Sequence, residues 1–315
     1  MAPELEVPCA VVTGGTDGIG KETALGLARG GYRVIVVGRD AVKGSRAARE
    51  LRARSGSEKV EYLEADLSLA READRLAGEI ARRFPSLHRL VHSAGVVRGR
   101  REITEQGIES NFAVNYLGRF VLTERLLPLL LAAGGSGNAA RVVIVGGAAR
   151  GGKIHFEDVN LTRRFGTVRV VRQFCEANDV FTVELARRLA ATGAGGRVTV
   201  TSLKLGVVRT NIRREFPRWM RWLVPLALDP LIGQTPSEAA ASALRLLLDD
   251  DLEGVTGALF LKLRNLRRIA PGPRTSDPLQ GQKLWALSEA LTSRSPSERS
   301  GRWPSWQHAP PGWRA

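Results

Sequence analysis

Cysteine is scarce in this chain, and so are tyrosine, methionine and histidine. The two cysteines, Cys9 and Cys175, provide neither a disulfide framework nor a cysteine metal cluster. With no need for oxidised cysteine, a reducing cytoplasm is the simplest expected home. No apolar run reaches about 18 residues, so no transmembrane helix is expected. The acidic opening, Met1-Ala2-Pro3-Glu4-Leu5-Glu6, is unlike a signal peptide. There is no internal repeat, no zinc finger, no basic zipper and no RNA-binding sheet motif. The net charge of +15 comes from arginines spread along the chain. It therefore reads as an attractive field for an anionic small molecule rather than as a nucleic-acid footprint.

What is present begins with Thr13-Gly14-Gly15-Thr16-Asp17-Gly18-Ile19-Gly20. The apolar run Cys9-Ala10-Val11-Val12 leads in, and a helical pattern from Lys21 to Arg29 leads out. Strand, glycine-rich turn and helix in that order suit a dinucleotide pyrophosphate. Gly14 allows the turn, Gly18 lets backbone approach phosphate, and Gly20 lets the helix pack against the strand. The helix N-terminus then offers N–H groups and a positive dipole end.

Downstream, strand and helix patterns alternate. Strands are expected at residues 32–37, 60–63, 87–92, 141–145, 197–202 and 258–263, and helices at 41–54, 69–84, 106–131, 170–192 and 237–248. That alternation predicts an α/β Rossmann-type doubly wound fold: a parallel seven-stranded sheet with helices on both faces. Ligands then bind at the carboxyl ends of the strands. The second strand ends in Gly38-Arg39, where an acidic residue would choose NAD; arginine there favours NADPH through its 2′-phosphate. Asp66, after the third strand, is placed to meet the adenine amino group or to cap a helix, a task Ser68 can also do.

These motifs resemble the short-chain dehydrogenase/reductase family over about residues 7 to 265, and most of all its retinol-dehydrogenase-like branch. Thr13 to Gly20 resembles TGxxxGIG, Asp66-Leu67 the adenine-site pair, Ser93-Ala94-Gly95 the NAG turn, and Val114-Asn115-Tyr116-Leu117-Gly118 the VNxLG helix. Gly152 to Leu161 and Ala177 to Ala186 resemble the segment after the fifth strand and the active-site helix. The resemblance implies that Gly14, Gly15, Thr16, Asp17, Gly18, Ile19, Gly20, Arg39, Asp66 and Leu67 hold the adenine half of the cofactor. It assigns Ser93, Ala94, Gly95, Asn115, Gly206, Val208 and Thr210 to the nicotinamide half.

The family's catalytic set is Asn, Ser, Tyr and Lys. Asn115 fits the first position, while Gly147, Val171 and Cys175 stand where Ser, Tyr and Lys belong. No change of register repairs this, because the nearest tyrosines, Tyr116 and Tyr62, lie in other elements. A general acid is typically worth about 10²–10⁴ in rate, and one oxyanion donor about 10²–10³. The chain thus reads as one that can hold NADPH without the usual way of protonating product. Three functions are open: reduction of an activated ring ketone with the proton supplied by the substrate's own neighbouring hydroxyl or by water, an inactive NADPH-binding regulatory or scaffold module, and a redox-neutral cyclase or isomerase.

A helical lid is expected over about residues 211–236, with Phe216, Trp219 and Trp222 forming an aromatic surface for a flat polycyclic substrate, and Arg213, Arg214, Arg218 and Arg221 alongside. A core helix and a membrane-surface helix are the other readings of that stretch. Phe174 and Lys204 are further substrate candidates, Lys204 in a loop where solvation is the ordinary state. His92 reads as a packed strand histidine. The expected partners are a polycyclic aromatic small molecule, with no nucleic acid and no integral membrane segment; a homo-oligomer is open. Residues 1–270 form the expected dinucleotide-binding domain. Residues 271–315 form an irregular Pro/Arg/Trp-containing extension with one helix at 282–292.

Overall fold

Runs rich in valine, isoleucine and leucine become the strands of one eight-stranded sheet. In the computed structural model, which describes residues 7–135, 138–208 and 233–292, they are β1 Cys9–Thr13, β2 Arg33–Gly38, β3 Val60–Glu64, β4 Arg89–His92, β5 Ala140–Gly147, β6 Val198–Leu205, β7 Ala258–Lys262 and β8 Leu266–Ile269. Their order is β3-β2-β1-β4-β5-β6-β7-β8. The first seven run parallel and β8 pairs antiparallel with β7. The eighth strand departs from the seven expected. It follows β7 through a tight Leu263-Arg264-Asn265 connection, and its alternating Leu266-Arg267-Arg268-Ile269 lies at an edge. A short edge strand buries little, which is why apolar periodicity does not reveal it.

Helices cover both faces. α1 Gly18–Arg29, α2 Ala41–Ser55, α3 Ala70–Arg83, α4 Ser110–Phe112, α5 Gly118–Ala133, α6 Thr167–Ala191, α7 Pro236–Leu248, α8 Pro273–Ser276 and α9 Pro278–Thr292 are the helices of the described residues. One core joins alternate residues of β1, β2, β4 and β5 to α3, α5, α6 and α9; the other joins the intervening residues to α1, α2 and α7. Period-two alternation along each strand thus feeds both layers.

Two local features position the site. α4 and α5 are joined by a π-helical turn, Ala113–Leu117, with Asn115 at its centre. Such a turn widens the helix and marks functional positions in many folds. Glu109 starts this stretch, its carboxylate accepting from the backbone N–H of Asn111 and Phe112 at 3.1 and 2.9 Å. β5 and β6 also run further than their apolar cores suggest, so Gly146, Gly147, Lys204 and Leu205 are strand residues.

The helix expected at 282–292 is present as the longer α9, and α8 precedes it, so the extension is irregular over less of its length than expected. α9 places Trp285 against Phe120 and Phe181, with ring centroids 5.1 and 6.0 Å apart, under the Arg188 guanidinium. Tyr116 Oη and Ser288 Oγ share a hydrogen bond of 2.7 Å. The expected lid lies mostly outside the described residues; at its far end, Thr235 and Glu238 form a capping box that starts α7. Among the described residues no helix is long and apolar enough to cross a membrane.

Candidate active site

The order of strands reverses between β1 and β4, and a cleft opens at their carboxyl ends. Its volume is about 440 Å³. Gly14, Thr16, Asp17, Gly18, Ile19, Arg39, Asp66, Leu67, Ser93, Ala94 and Gly95 all line it, so most of the residues expected for the cofactor meet there.

The glycines of the turn have little room for a side chain, and the structure adds one feature to the expected site. Gly14 has φ +66°, and a Cβ there would stand 2.7 Å from Ala94 N. Gly18 also has positive φ. Gly15 does not line the cleft: a Cβ on it would collide with Val36. A Cβ on Gly20 would strike the Gly14 carbonyl, so this glycine sets how closely α1 approaches the turn. The addition is Asp17. Its carboxylate caps α1, accepting from Gly18 N at 2.8 Å. One N–H expected to face phosphate is thereby engaged, and a negative charge sits at the helix N-terminus. Lys43 offsets it, with Nζ 2.6 Å from Asp17 Oδ2. Lys43 was not apparent as a site residue in the sequence, although it lies one helical turn beyond Arg39 and lines the same cleft. Arg39 and Lys43 together give the cleft a basic rim where β2 ends.

Neither expected cap starts α3. Asp66 Oδ1 accepts from Ser68 N at 2.9 Å, closing a turn, and the Gln106 side chain accepts from Ala70 N. The Ser93–Gly95 turn is pinned by Thr13, whose Oγ1 accepts from Ser93 N and Ala94 N at 3.1 and 3.2 Å.

Asn115 keeps its family position but spends its side chain on bracing. Nδ2 donates to Val96 O and Asn111 O at 2.8 Å each, and Oδ1 accepts from Val96 N. Its backbone carbonyl accepts from Asn178 Nδ2 at 2.9 Å. Arg119, one turn further, is fully buried and donates to Ala94 O at 2.7 Å and Val145 O at 2.9 Å. The sequence offered one sign of this brace, the i, i+4 spacing from Asn115.

Of the three positions expected for Ser, Tyr and Lys, Gly147 and Cys175 are in contact, and Val171 lies one turn before Cys175 on α6. The Cys175 thiol faces Gly147, donating to its carbonyl over 3.6 Å, and a Cβ on Gly147 would stand 3.7 Å from that sulfur. Burial pushes the Cys175 thiol up to about 11, which removes it as a nucleophile at neutral pH. Val171 is half-buried beside an apolar hollow shared with Ala149 and Val168. His92 is a packed strand histidine, its Nε2 2.8 Å from Thr123 Oγ1, and burial drives its pKa well below the usual imidazole range.

Two substrate candidates are placed differently from expectation. Phe174, on α6, is buried in the core and is not among the residues that line the cleft. Lys204 is not a solvated loop residue. It is 2 % exposed on β6, where Asp179 of α6 accepts from its ammonium. Gly206 donates to Lys262 O at 3.0 Å and Val208 bridges to Gln234. Thr210, Phe216, Trp219 and Trp222 lie outside the described residues. Among the described residues no group of three or more His, Cys, Asp or Glu could hold a metal ion.

Comparison with known proteins agrees with this geometry. Residues 8–156 match the family model described as short chain dehydrogenase. Retinol dehydrogenase 13 of Homo sapiens is 34% identical over 295 residues, covering 92% of this chain and 86% of that protein. Polyprenol dehydrogenase of Homo sapiens is 32% identical over 90% of this chain and 84% of its own length. A short chain dehydrogenase from Shigella flexneri 2A str. 301 complexed with NADP superposes with a TM-score of 0.61 at 26% identity, covering 81% of this chain and 96% of that one. An uncharacterized protein from Mycobacterium Paratuberculosis superposes at 0.71 with 28% identity, covering 91% and 96%. The chain belongs to the short-chain dehydrogenase/reductase family of oxidoreductases and groups with its retinol-dehydrogenase-like members.

Proposed function

We propose that this protein is an atypical NADPH-dependent ketoreductase that reduces a ring ketone in a polycyclic aromatic polyketide of the angucyclinone type, in antibiotic biosynthesis, without the Ser-Tyr-Lys relay. One observation carries the reading: most of the residues expected for the dinucleotide line one cleft, while the positions that the family resemblance assigns to protonating the product hold Gly147, Val171 and the buried thiol of Cys175. NADPH, held by the Gly14–Gly20 turn, Asp66 and the basic pair Arg39 and Lys43, supplies the hydride. NADP-bound relatives of this fold support that cofactor.

The chain's own residues orient and exclude water, and the substrate provides the proton. A phenol beside the ring ketone, already hydrogen-bonded to it, can take the part of the missing Tyr and Ser. Proximity then supplies much of the remaining acceleration. An apolar hollow lined by Ala149, Val168 and Val171 lies beside the Tyr position and suits a flat aromatic edge.

The test is NADPH oxidation by purified protein with a panel of polycyclic aromatic ketones, followed by mass analysis. Stoichiometric oxidation with a two-hydrogen mass gain supports a reductase. Cofactor binding without turnover favours a non-catalytic module, and substrate change at constant mass favours a cyclase or isomerase.

A further inference from the structure

A second cavity, of about 430 Å³, lies beside the carboxyl ends of β5 and β6. Its floor is the Lys204–Asp179 pair. Lys204 pairs in register with Gly146 on β5, the residue before the empty Ser position, Gly147. Asp179 is on α6, one turn beyond Cys175, and also accepts from Ser202 Oγ at 3.1 Å. An ammonium has three donors. Among the described residues Asp179 is the acceptor of a Lys204 bond, and both residues line the cavity, so the ammonium has donors beyond that bond to offer a ligand there.

The cost of this arrangement points to use. Burying an ion pair is expensive, and well-packed apolar residues at such a place are often equally stable or better. A buried ammonium with spare donors on a ligand-sized cavity is suited to an oxygen pair on a substrate. Leu259, Ile269 and Pro273 supply an apolar wall for an aromatic ring, while Arg150 and Arg274 stand at the rim.

We propose that Lys204 is a catalytic residue that binds the phenol oxygen of the hydroxy-ketone substrate and holds the phenolate formed during reduction. This rests on the ketoreductase reading above and adds the group that takes the developing negative charge. The carbonyl carbon accepts the hydride, with its two electrons, from the reduced nicotinamide. The neighbouring phenol gives its proton to the new alkoxide, making the product hydroxyl. The phenolate left behind is held by Lys204 and regains a proton from solvent. Without that ammonium the phenol has no counter-charge for its anion, and the proton transfer loses its driving force.

The probe is 1,8-dihydroxyanthraquinone, whose hydroxyls flank a ring ketone and whose ionisation is read by visible absorbance. It is titrated on the NADP⁺ complex, where no turnover occurs. The charged groups around Lys204 are Asp179 and Glu176 of α6, Arg150 and Arg274 at the rim, and the Cys175 thiol. Binding to the natural protein lowers the probe's apparent pKa by about one unit or more, as a cation in contact with an anion does. Lys204→Met alone leaves Asp179 buried without its partner and is liable to unfold. Lys204→Gln combined with Asp179→Asn keeps an amide hydrogen bond and removes both charges. That double variant retains NADP⁺ affinity and loses the pKa shift. An equal shift in the double variant overturns the role of Lys204 and leaves the ketoreductase reading standing. Failure of the natural protein to bind the probe, with NADP⁺ bound normally, overturns both.

Discussion

At the scale of single residues, the cofactor half and the proton half of the site give separable predictions. Arg39→Ala and Lys43→Ala each remove a cation from the rim of the cleft. A charge-assisted hydrogen bond is worth about 1.5–3 kcal/mol, so NADPH should bind each variant about tenfold to a hundredfold more weakly, with NADH little changed. Isothermal titration with both cofactors checks this; equal loss for both would remove the 2′-phosphate assignment. Cys175 gives a second prediction. Its thiol is buried and its pKa is raised to about 11, so iodoacetamide at neutral pH should leave it unlabelled in the folded protein. Alkylation of Cys175 under native conditions, seen by peptide mass, would contradict the geometry.

Residue identity was readable where a motif fixed it and unreadable where tertiary contact did. Gly14, Asp66 and Ser93 could be assigned because a local pattern specifies their backbone. Lys204 could not, because a lysine buried by a partner on another element looks in sequence like any surface lysine. Lys43 lay unnoticed for a similar reason: its role follows from Asp17, 26 positions earlier.

At the scale of elements, the turn between β1 and α1 depends on contact that leaves no room for a side chain. Gly20→Ala would drive a methyl into the Gly14 carbonyl. Overpacking of this kind costs about 1–3 kcal/mol and would open the turn, so NADPH affinity should fall more than thermal stability. β4 gives a pH prediction. His92 is buried and neutral, with its pKa pushed well below the usual imidazole value by burial and by the Arg119 charge. The unfolded chain therefore binds a proton there that the folded chain does not. Stability is complete above the unfolded pKa of about 6.5 and falls as pH drops below it, by about 1.4 kcal/mol per pH unit. Thermal unfolding at pH 7 and pH 5 should show this slope, and His92→Gln should flatten it. The alternating elements themselves were legible from the sequence, since period two and period 3.6 dictate burial directly. The π-turn at Asn115 and the edge strand β8 were not, for neither changes the apolar pattern.

At the scale of the whole molecule, the C-terminal helix is part of the fold. Trp285 joins Phe120 and Phe181 in one aromatic cluster. Trp285→Ala should destabilise by about 3–5 kcal/mol, with denaturant unfolding as the readout; a negligible change would mean α9 is peripheral. Sequence composition hid this, because proline and arginine around the helix resemble a loose tail, and one buried tryptophan outweighs them only once its partners are known. Many of the arginines sit in surface pairs with glutamate, such as Arg54–Glu22 and Arg75–Glu72. Each exposed pair contributes little to stability.

The central claim is that the substrate supplies the proton the protein cannot. The measurement is NADPH oxidation with two polycyclic ring ketones that differ only at the neighbouring oxygen, one a free phenol and the other its methyl ether. The account predicts a two-hydrogen mass gain for the phenol and a rate for the ether lower by about 10²–10⁴, the usual worth of a general acid. Equal rates for the two ketones would contradict it and would place the proton donor in water or in the protein.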